Sequence, residues 1–121
     1  MASEIITESE FTVFMLVKTQ SEWLKLTPRE RFIFLGKVIK PLLEKYSDVK
    51  MRFFDAEAYS AEITDIIMWQ TKNISSYHAL IEELRETDFW DRYFLIKNIL
   101  PSFENAFQNH YKDLSEELFS V

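Results

Sequence analysis

A chain of 121 residues, 47% hydrophobic and 28% charged, has the length for one domain and a core large enough to need neither disulfides nor a structural metal. The formal charge of −6, from 14 basic and 20 acidic side chains, excludes the basic footprint on which nonspecific nucleic-acid binding depends. The lack of cysteine excludes thiolate chemistry and cysteine-ligated metals and suits the cytoplasm, and no apolar run approaches the ~18 residues of a membrane span.

MASEIITESEF carries three glutamates and no basic cluster, unlike a secretory leader, so residues 1–10 are expected to be a polar lead. In FTVFMLVKT, 11–19, Phe11, Val13, Met15 and Val17 share one face while Phe14 and Leu16 share the other, the pattern of a strand buried on both sides. In LTPRE, Thr27 is placed to cap a helix, Pro28 fits its first position and Glu30 completes the S/T-x-x-E box. The helix is predicted over 28–46, with Phe32, Leu35, Ile39, Leu42 and Tyr46 as its apolar stripe. Pro41 inside it predicts either a kink, eased by Gly36, or two helices broken before the proline. VKMRFFDAE, 49–57, and ITDIIMWQT, 63–71, read as a hairpin joined by AYSAE, with no Asn-Gly signal to fix its register. NISSYHALIEELRET gives a second helix, capped at Ser75 or Ser76 and burying Tyr77, Leu80, Ile81 and Leu84. DFWDR, 88–92, is a turn or a single helical turn, and YFLIKNIL, 93–100, is a fourth strand ended by Pro101. The rest is a short amphipathic helix to about Tyr111, which closes an 11–111 domain, and then an acidic tail, 112–121.

The order β-α-β-β-α-β is the ferredoxin-like arrangement: an α+β fold with a four-stranded antiparallel sheet and helices on one face. In a monomer the other face should turn polar, yet three strands keep large apolar residues on both sides. Leaving such residues wet forfeits about 1.5–3 kcal/mol each. The 11 Phe, 5 Tyr and 3 Trp press the same point, since one small core has limited room for them. Two sheets packed face to face as a homodimer, a dimeric α+β barrel, would solve both problems.

FTVFMLVKT, the T-P-capped helix ending in PLLEKY, the hairpin RFFDAEAYSAEITDIIMWQT and the run YHALIEELRETDFWDRYF together resemble the darcynin family, small bacterial proteins of uncharacterised function among the dimeric α+β barrels. The resemblance covers residues 10–111 or so and is densest from AYSAEITDIIMWQT onward. It implies the ferredoxin-like dimer and assigns no catalytic residue.

Asp65 stands out, a carboxylate among isoleucines, methionine and tryptophan. Alternation puts it on one face with Ile63, Ile67, Trp69 and Thr71, and puts Thr64, Ile66, Met68 and Gln70 on the other. Ile66 and Met68 suit the helix-covered core, which sends Asp65 and Trp69 toward a cavity on the dimer side. There Arg52 is the expected partner of Asp65, depending on hairpin register. Trp69, Tyr59, Phe54, Trp90 and Tyr93 are either the wall of an apolar pocket with polar tips or plain dimer packing. Trp23 is a lid or a local staple. His78, in the first turn of the second helix, is a base kept neutral by the helix dipole or a surface residue. His110 reads as a surface residue, and two histidines 32 positions apart with no ligand-spaced motif point away from a metal.

With no phosphate loop, dinucleotide fingerprint or nucleophile elbow, no cofactor is implied. Two readings of function stand: a cytoplasmic binding or structural module, homodimeric, holding a small apolar molecule; or a cofactor-independent monooxygenase or isomerase using Asp65, Trp69, Arg52 and His78. No nucleic acid or membrane partner is expected.

Overall fold

The computed structural model describes residues 4–119. Four antiparallel strands, β1 (Ile6–Thr19), β2 (Lys50–Asp55), β3 (Asp65–Asn73) and β4 (Phe94–Phe103), form one sheet in the order β2-β3-β1-β4. This is the ferredoxin-like topology, with β3 and β1 central and helices on one face. β1 starts earlier than its apolar run suggests: Ile6 pairs with Asn73 across an irregularity before Phe11, so part of the polar lead is strand. Pro101, expected to end β4, lies inside it. β4 is an edge strand, where a missing N–H is tolerated.

After β1 comes a single helical turn, α1 (Ser21–Leu24), that the sequence did not announce. The long helix follows as α2 (Pro28–Phe34), a π-helical turn (Leu35–Ile39) and α3 (Lys40–Lys45). Thr27 and Glu30 form the anticipated capping box: Oγ1 of Thr27 accepts from the Glu30 N–H, and Oε1 of Glu30 accepts from the Thr27 N–H. The backbone stays right-handed helical from Phe34 to Lys40, so no break precedes Pro41, and the ladder widens ahead of it instead. α4 (Ile74–Leu84) is capped by Asn73 rather than by Ser75 or Ser76. The Asn73 carboxamide oxygen accepts from both serine N–H groups. Two further helices, α5 (Ala106–His110) and α6 (Lys112–Leu118), make up the segment expected to be a helix and then a tail.

The core lies between the helices and one sheet face. Val13, Met15 and Val17 of β1 are fully buried there with Ile67 and Trp69 of β3, under Ile39, Leu80 and Leu84. Much of the aromatic excess is housed here too. Trp23 packs its ring 5.3 Å from Tyr93 and 5.0 Å from Phe94, Phe34 meets Tyr93 edge-on at 4.9 Å, and Phe89 stacks on Phe94 at 4.7 Å.

The opposite face carries no helix and grades along the strands. One rung across the sheet is polar (Lys50, Gln70, Thr12, Ser102), the next mixed (Arg52, Met68, Phe14, Leu100), and the third largely apolar (Phe54, Ile66, Leu16, Asn98). Phe14 is 38% exposed, Phe54 41% and Leu100 46%. The expected alternation of β1 therefore holds, and large apolar side chains do sit on the uncovered face.

Candidate functional site

The helical layer does not fill the space over the β2 side of the sheet. A cavity of about 680 Å³ remains between them, in the range of small-molecule sites. Met51, Phe53, Ile67 and Trp69 form its floor. Trp23, Leu24, Arg31, Leu35 and Ile39 form the roof, and Phe89 and Phe94 close one side. The π-helical turn supplies Leu35 and Ile39, placing a widened piece of helix directly over the hollow, a position where such turns recur at functional sites. Arg31 is fixed as a roof member because its Nε and Nη2 donate to the carbonyls of Trp23 and Leu24, at 3.1 and 3.2 Å.

The polar end is built by the hairpin. Register pairs Asp55 with Asp65, the last residue of β2 with the first of β3, so two carboxylates meet across the strands. Glu57 follows from the connection, and carboxylate oxygens of the three lie within 4.8 Å of one another. Thr64 locks this corner. Its Oγ1 accepts from the Thr19 N–H at 2.8 Å and donates to Oδ2 of Asp65 at 2.8 Å, while its own N–H donates to the Val17 carbonyl. Among the described residues no ion pair reaches any of the three carboxylates.

Asp65 is only 4% exposed, and burial lifts its carboxyl from the ordinary 3.8 to about 6. The Thr64 hydroxyl opposes the lift. The negative charge of Glu57, a hydrogen bond with the Asp55 carboxyl and the charge of Asp55 reinforce it. Near neutrality this corner therefore holds a proton loosely and has a deficit of positive charge. A second mismatch lies further in: Nε1 of Trp69 is buried without a hydrogen-bond partner, a state that costs about 1–3 kcal/mol for an unpaired donor. Three carboxylates grouped this way could ligate a cation.

The residues singled out from the sequence divide sharply. Asp65 and Trp69 share a face, as alternation requires, and both line the cavity, but that face is the helix-covered one and not the dimer side. Ile66 and Met68, expected in the core, face the other way. The correction has a simple cause: both triplets are apolar, and Ile67 with Trp69 completes the Val13–Met15–Val17 layer under the helices. Arg52 does not pair with Asp65. It stands opposite Met68 on the uncovered face, with its guanidinium 5.2 Å from the Phe54 ring. Phe54 shares that face and not the cavity. Tyr59 is 93% exposed in the hairpin connection. Trp90 is half-buried beside Arg85, and Tyr93 is buried in the ring cluster behind the cavity wall. His78 is on the surface of α4, 3.6 Å from Glu82, and His110 is exposed on α5, so neither meets Asp65. Trp23 proves to be a roof member.

Sequence reasoning missed Asp55, Glu57, Thr64 and Arg31. A signal for the first two was present: D-x-E at the end of β2 lies across the hairpin from T-D at the start of β3, and the register that pairs Asp55 with Asp65 brings the acids together. Arg31 gave no such signal, because its place is set by two backbone carbonyls.

The chain matches the family model described as Darcynin, a domain of unknown function, over residues 2–117. It is 49% identical over 105 residues to a darcynin homologue from Granulibacter bethesdensis, covering 86% of this chain and 85% of that protein. A darcynin homologue from Streptomyces avermitilis is 44% identical over 106 residues, covering 87% and 88%. Among solved structures, a mutant chlorite dismutase from Candidatus Nitrospira defluvii superposes with a TM-score of 0.65 at 18% identity, over 80% of this chain and 41% of that one. A heme-binding protein from Thermus thermophilus gives 0.69 at 16% identity, over 88% and 46%. This chain thus spans less than half of either neighbour, and the likeness establishes the shared dimeric α+β barrel type of fold.

Proposed function

The chain belongs to the darcynin family, and from the site itself we propose that it is a binding module holding a small molecule in the cavity between its helices and its sheet. The observation that carries this reading is a hollow of about 680 Å³ whose lining includes a buried carboxyl, that of Asp65. A packing defect in an apolar core is lined by apolar atoms, whereas this one ends in Asp55, Glu57 and Asp65, which no ion pair among the described residues reaches. The uncovered sheet face, with Phe14, Phe54 and Leu100 exposed, supports self-association as a homodimer. The cytoplasmic location is part of the proposal and rests on the acidic, cysteine-free composition. No helix among the described residues is long and apolar enough to cross a membrane.

Heme does not fit this cavity. No imidazole or thiolate lines it, both histidines are exposed elsewhere, and three carboxylates would face the propionates. One observation favours a second reading, a cofactor-independent isomerase or monooxygenase. A carboxyl held at about 6 beside an apolar chamber is suited to taking up and returning a proton near neutrality.

The binding reading is tested with Nile red, a neutral apolar probe, titrated against the protein and a Leu35→Trp variant whose larger ring fills the roof. Saturable binding to the native chain that the variant loses supports the cavity. Equal binding to both, or none to the native chain, removes it. The catalytic reading requires Asp65-dependent exchange of solvent deuterium into a bound ketone, absent in Asp65→Asn.

A further inference from the structure

No residue from 101 to 119 is buried, although the segment is built to bury one side. Phe107, Tyr111, Leu114 and Leu118 recur at intervals of four, three and four, which puts them on one face of a helical path. Phe107 is 81% exposed and Leu118 75%. The backbone bends at Tyr111, where α5 passes into α6, and Phe107, Tyr111, Leu114 and Phe119 line a recess of about 560 Å³. The direction of this arm is set. Asn105, with a left-handed φ of 53°, turns it off β4, and the Asn109 carboxamide donates to Oγ of Ser9 at 3.0 Å. The recess shares no lining residue with the one on its own chain's uncovered sheet face. We infer, resting on the homodimer reading above, that the arm is an intermolecular clasp: residues 106–119 of each subunit lie across the uncovered sheet face of a second copy.

Area favours a second copy. At about 150–250 Å² for a whole aromatic side chain, the exposed parts of Phe14, Phe54 and Leu100 come to roughly 250 Å². A standard interface buries about 800 Å² on each partner. Phe107, Tyr111, Leu114, Leu118 and Phe119 add roughly 600 Å², so face and arm together reach that area and neither does alone. A two-fold pair would use each surface twice. Charge agrees. Asp113 and Glu117, four apart in α6, flank the apolar stripe on one side. The uncovered face presents Lys50, Arg52 and Lys72, and among the described residues no carboxylate forms an ion pair with any of them. Glu104, at the root of the arm, accepts from Nε2 of Gln70 instead.

Charge reversal of the full chain tests the clasp, with dimer dissociation read by sedimentation velocity. One variant combines Asp113→Lys with Glu117→Lys on the arm, the other Lys50→Glu with Arg52→Glu on the face; all four positions are exposed, so the fold is not at stake. Each variant alone should dimerise at least tenfold more weakly than the native chain. An equimolar mixture should recover dimerisation to within about threefold of native, because the mixed pair matches arm to face both ways. If arm reversal leaves a native dimer unchanged, the clasp falls while the homodimer reading stands. Weakening of both variants without recovery on mixing places the arm on its own sheet and overturns the proposal. A native chain that stays monomeric removes the homodimer reading and the clasp with it. Cosedimentation of the native chain with phosphatidylcholine vesicles, lost in Phe107→Ala, would assign the stripe to a lipid surface in place of a second copy.

Discussion

Phe14 and Met15 are neighbours on β1, yet one is 38% exposed and the other has no exposed surface. They stand on opposite faces of the same sheet, and the faces are built on different terms. The helix-covered side is dry and tight around Val13, Met15 and Val17, then opens beside β2 into a chamber with carboxylates at one end. The uncovered side is a graded surface, polar at one end and aromatic or aliphatic at the other, with a smaller recess of about 330 Å³ at Phe14, Arg52 and Gln70. A flat apolar surface is answered by another surface, and a hollow with unpaired polar groups is answered by a molecule that fits inside. The proposed binding site therefore belongs to the covered side and the proposed self-association to the open one.

The strongest test of that division is a pair of alanines. Met15→Ala should lose about 3 kcal/mol of unfolding free energy, because it empties a site the surrounding layer cannot collapse into. Phe14→Ala should cost less than about 1 kcal/mol when measured well below micromolar concentration. Urea denaturation at two protein concentrations checks this. A cost for Phe14→Ala that grows with concentration marks the open face as a dimer surface, since association adds to apparent stability by mass action. Equal, concentration-independent costs for both variants would erase the difference between the faces.

The acidic corner gives the next largest effect. The Asp65 carboxyl sits at about 6 when folded against an ordinary 3.8, so the folded state keeps a proton that the unfolded chain has already released. Its contribution to stability is complete below the unfolded value and is lost as pH rises through about 6. Allowing for solvent screening, the protein should lose about 1–2 kcal/mol between pH 4.5 and pH 7.5 on this account. Asp55, Glu57 and Arg31 face the same cavity, and the negative charges of the first two add to the upward shift of Asp65. Asp65→Asn should flatten it and raise stability at pH 7.5 by a similar amount. An unchanged slope would mean that another group carries it. A buried group that destabilises the fold at neutral pH is what a site retained for binding looks like.

How far these features could be read from the sequence depends on which interactions set them. The fold was legible because strand and helix periods differ, and the Thr27–Pro28–Glu30 cap is written in adjacent residues. The parity of β3 was legible as well, with Asp65, Ile67 and Trp69 on one side. Which side that was could not be read, because Ile66 and Met68 are as apolar as Ile67 and Trp69. Only packing against Val13, Met15 and Val17 decides it. The partner of Asp65 was illegible for a related reason: the AYSAE connection carries no turn signature, so Arg52 and Asp55 were both available and register chose the acid. Trp69 drew attention as a ring, but its importance lies in an N–H left unpaired, which no residue pattern discloses.

On the open face, Phe54→Glu should convert dimer to monomer in light scattering while lowering the stability of the isolated subunit by less than about 1 kcal/mol, since the side chain is 41% exposed there. A wild-type mass that stays at 14.5 kDa at every concentration would remove the dimer from the picture.

The smallest effect concerns the roof of the chamber. Gly36 lies in the π-helical turn between Leu35 and Ile39, with a right-handed backbone, and a Cβ added there meets nothing within 4 Å. Alanine at that position removes freedom from the unfolded chain without a clash, so Gly36→Ala should add about 0.5–1 kcal/mol, a rise of roughly 2–6 °C in Tm. If the chamber is already formed in the free protein, affinity for Nile red should not change. Weaker binding alongside the higher Tm would mean that the helical layer must loosen to admit a ligand. The contrast between the faces would then be one of mobility as well as shape, with the stiff element on the open side and the yielding one over the cavity.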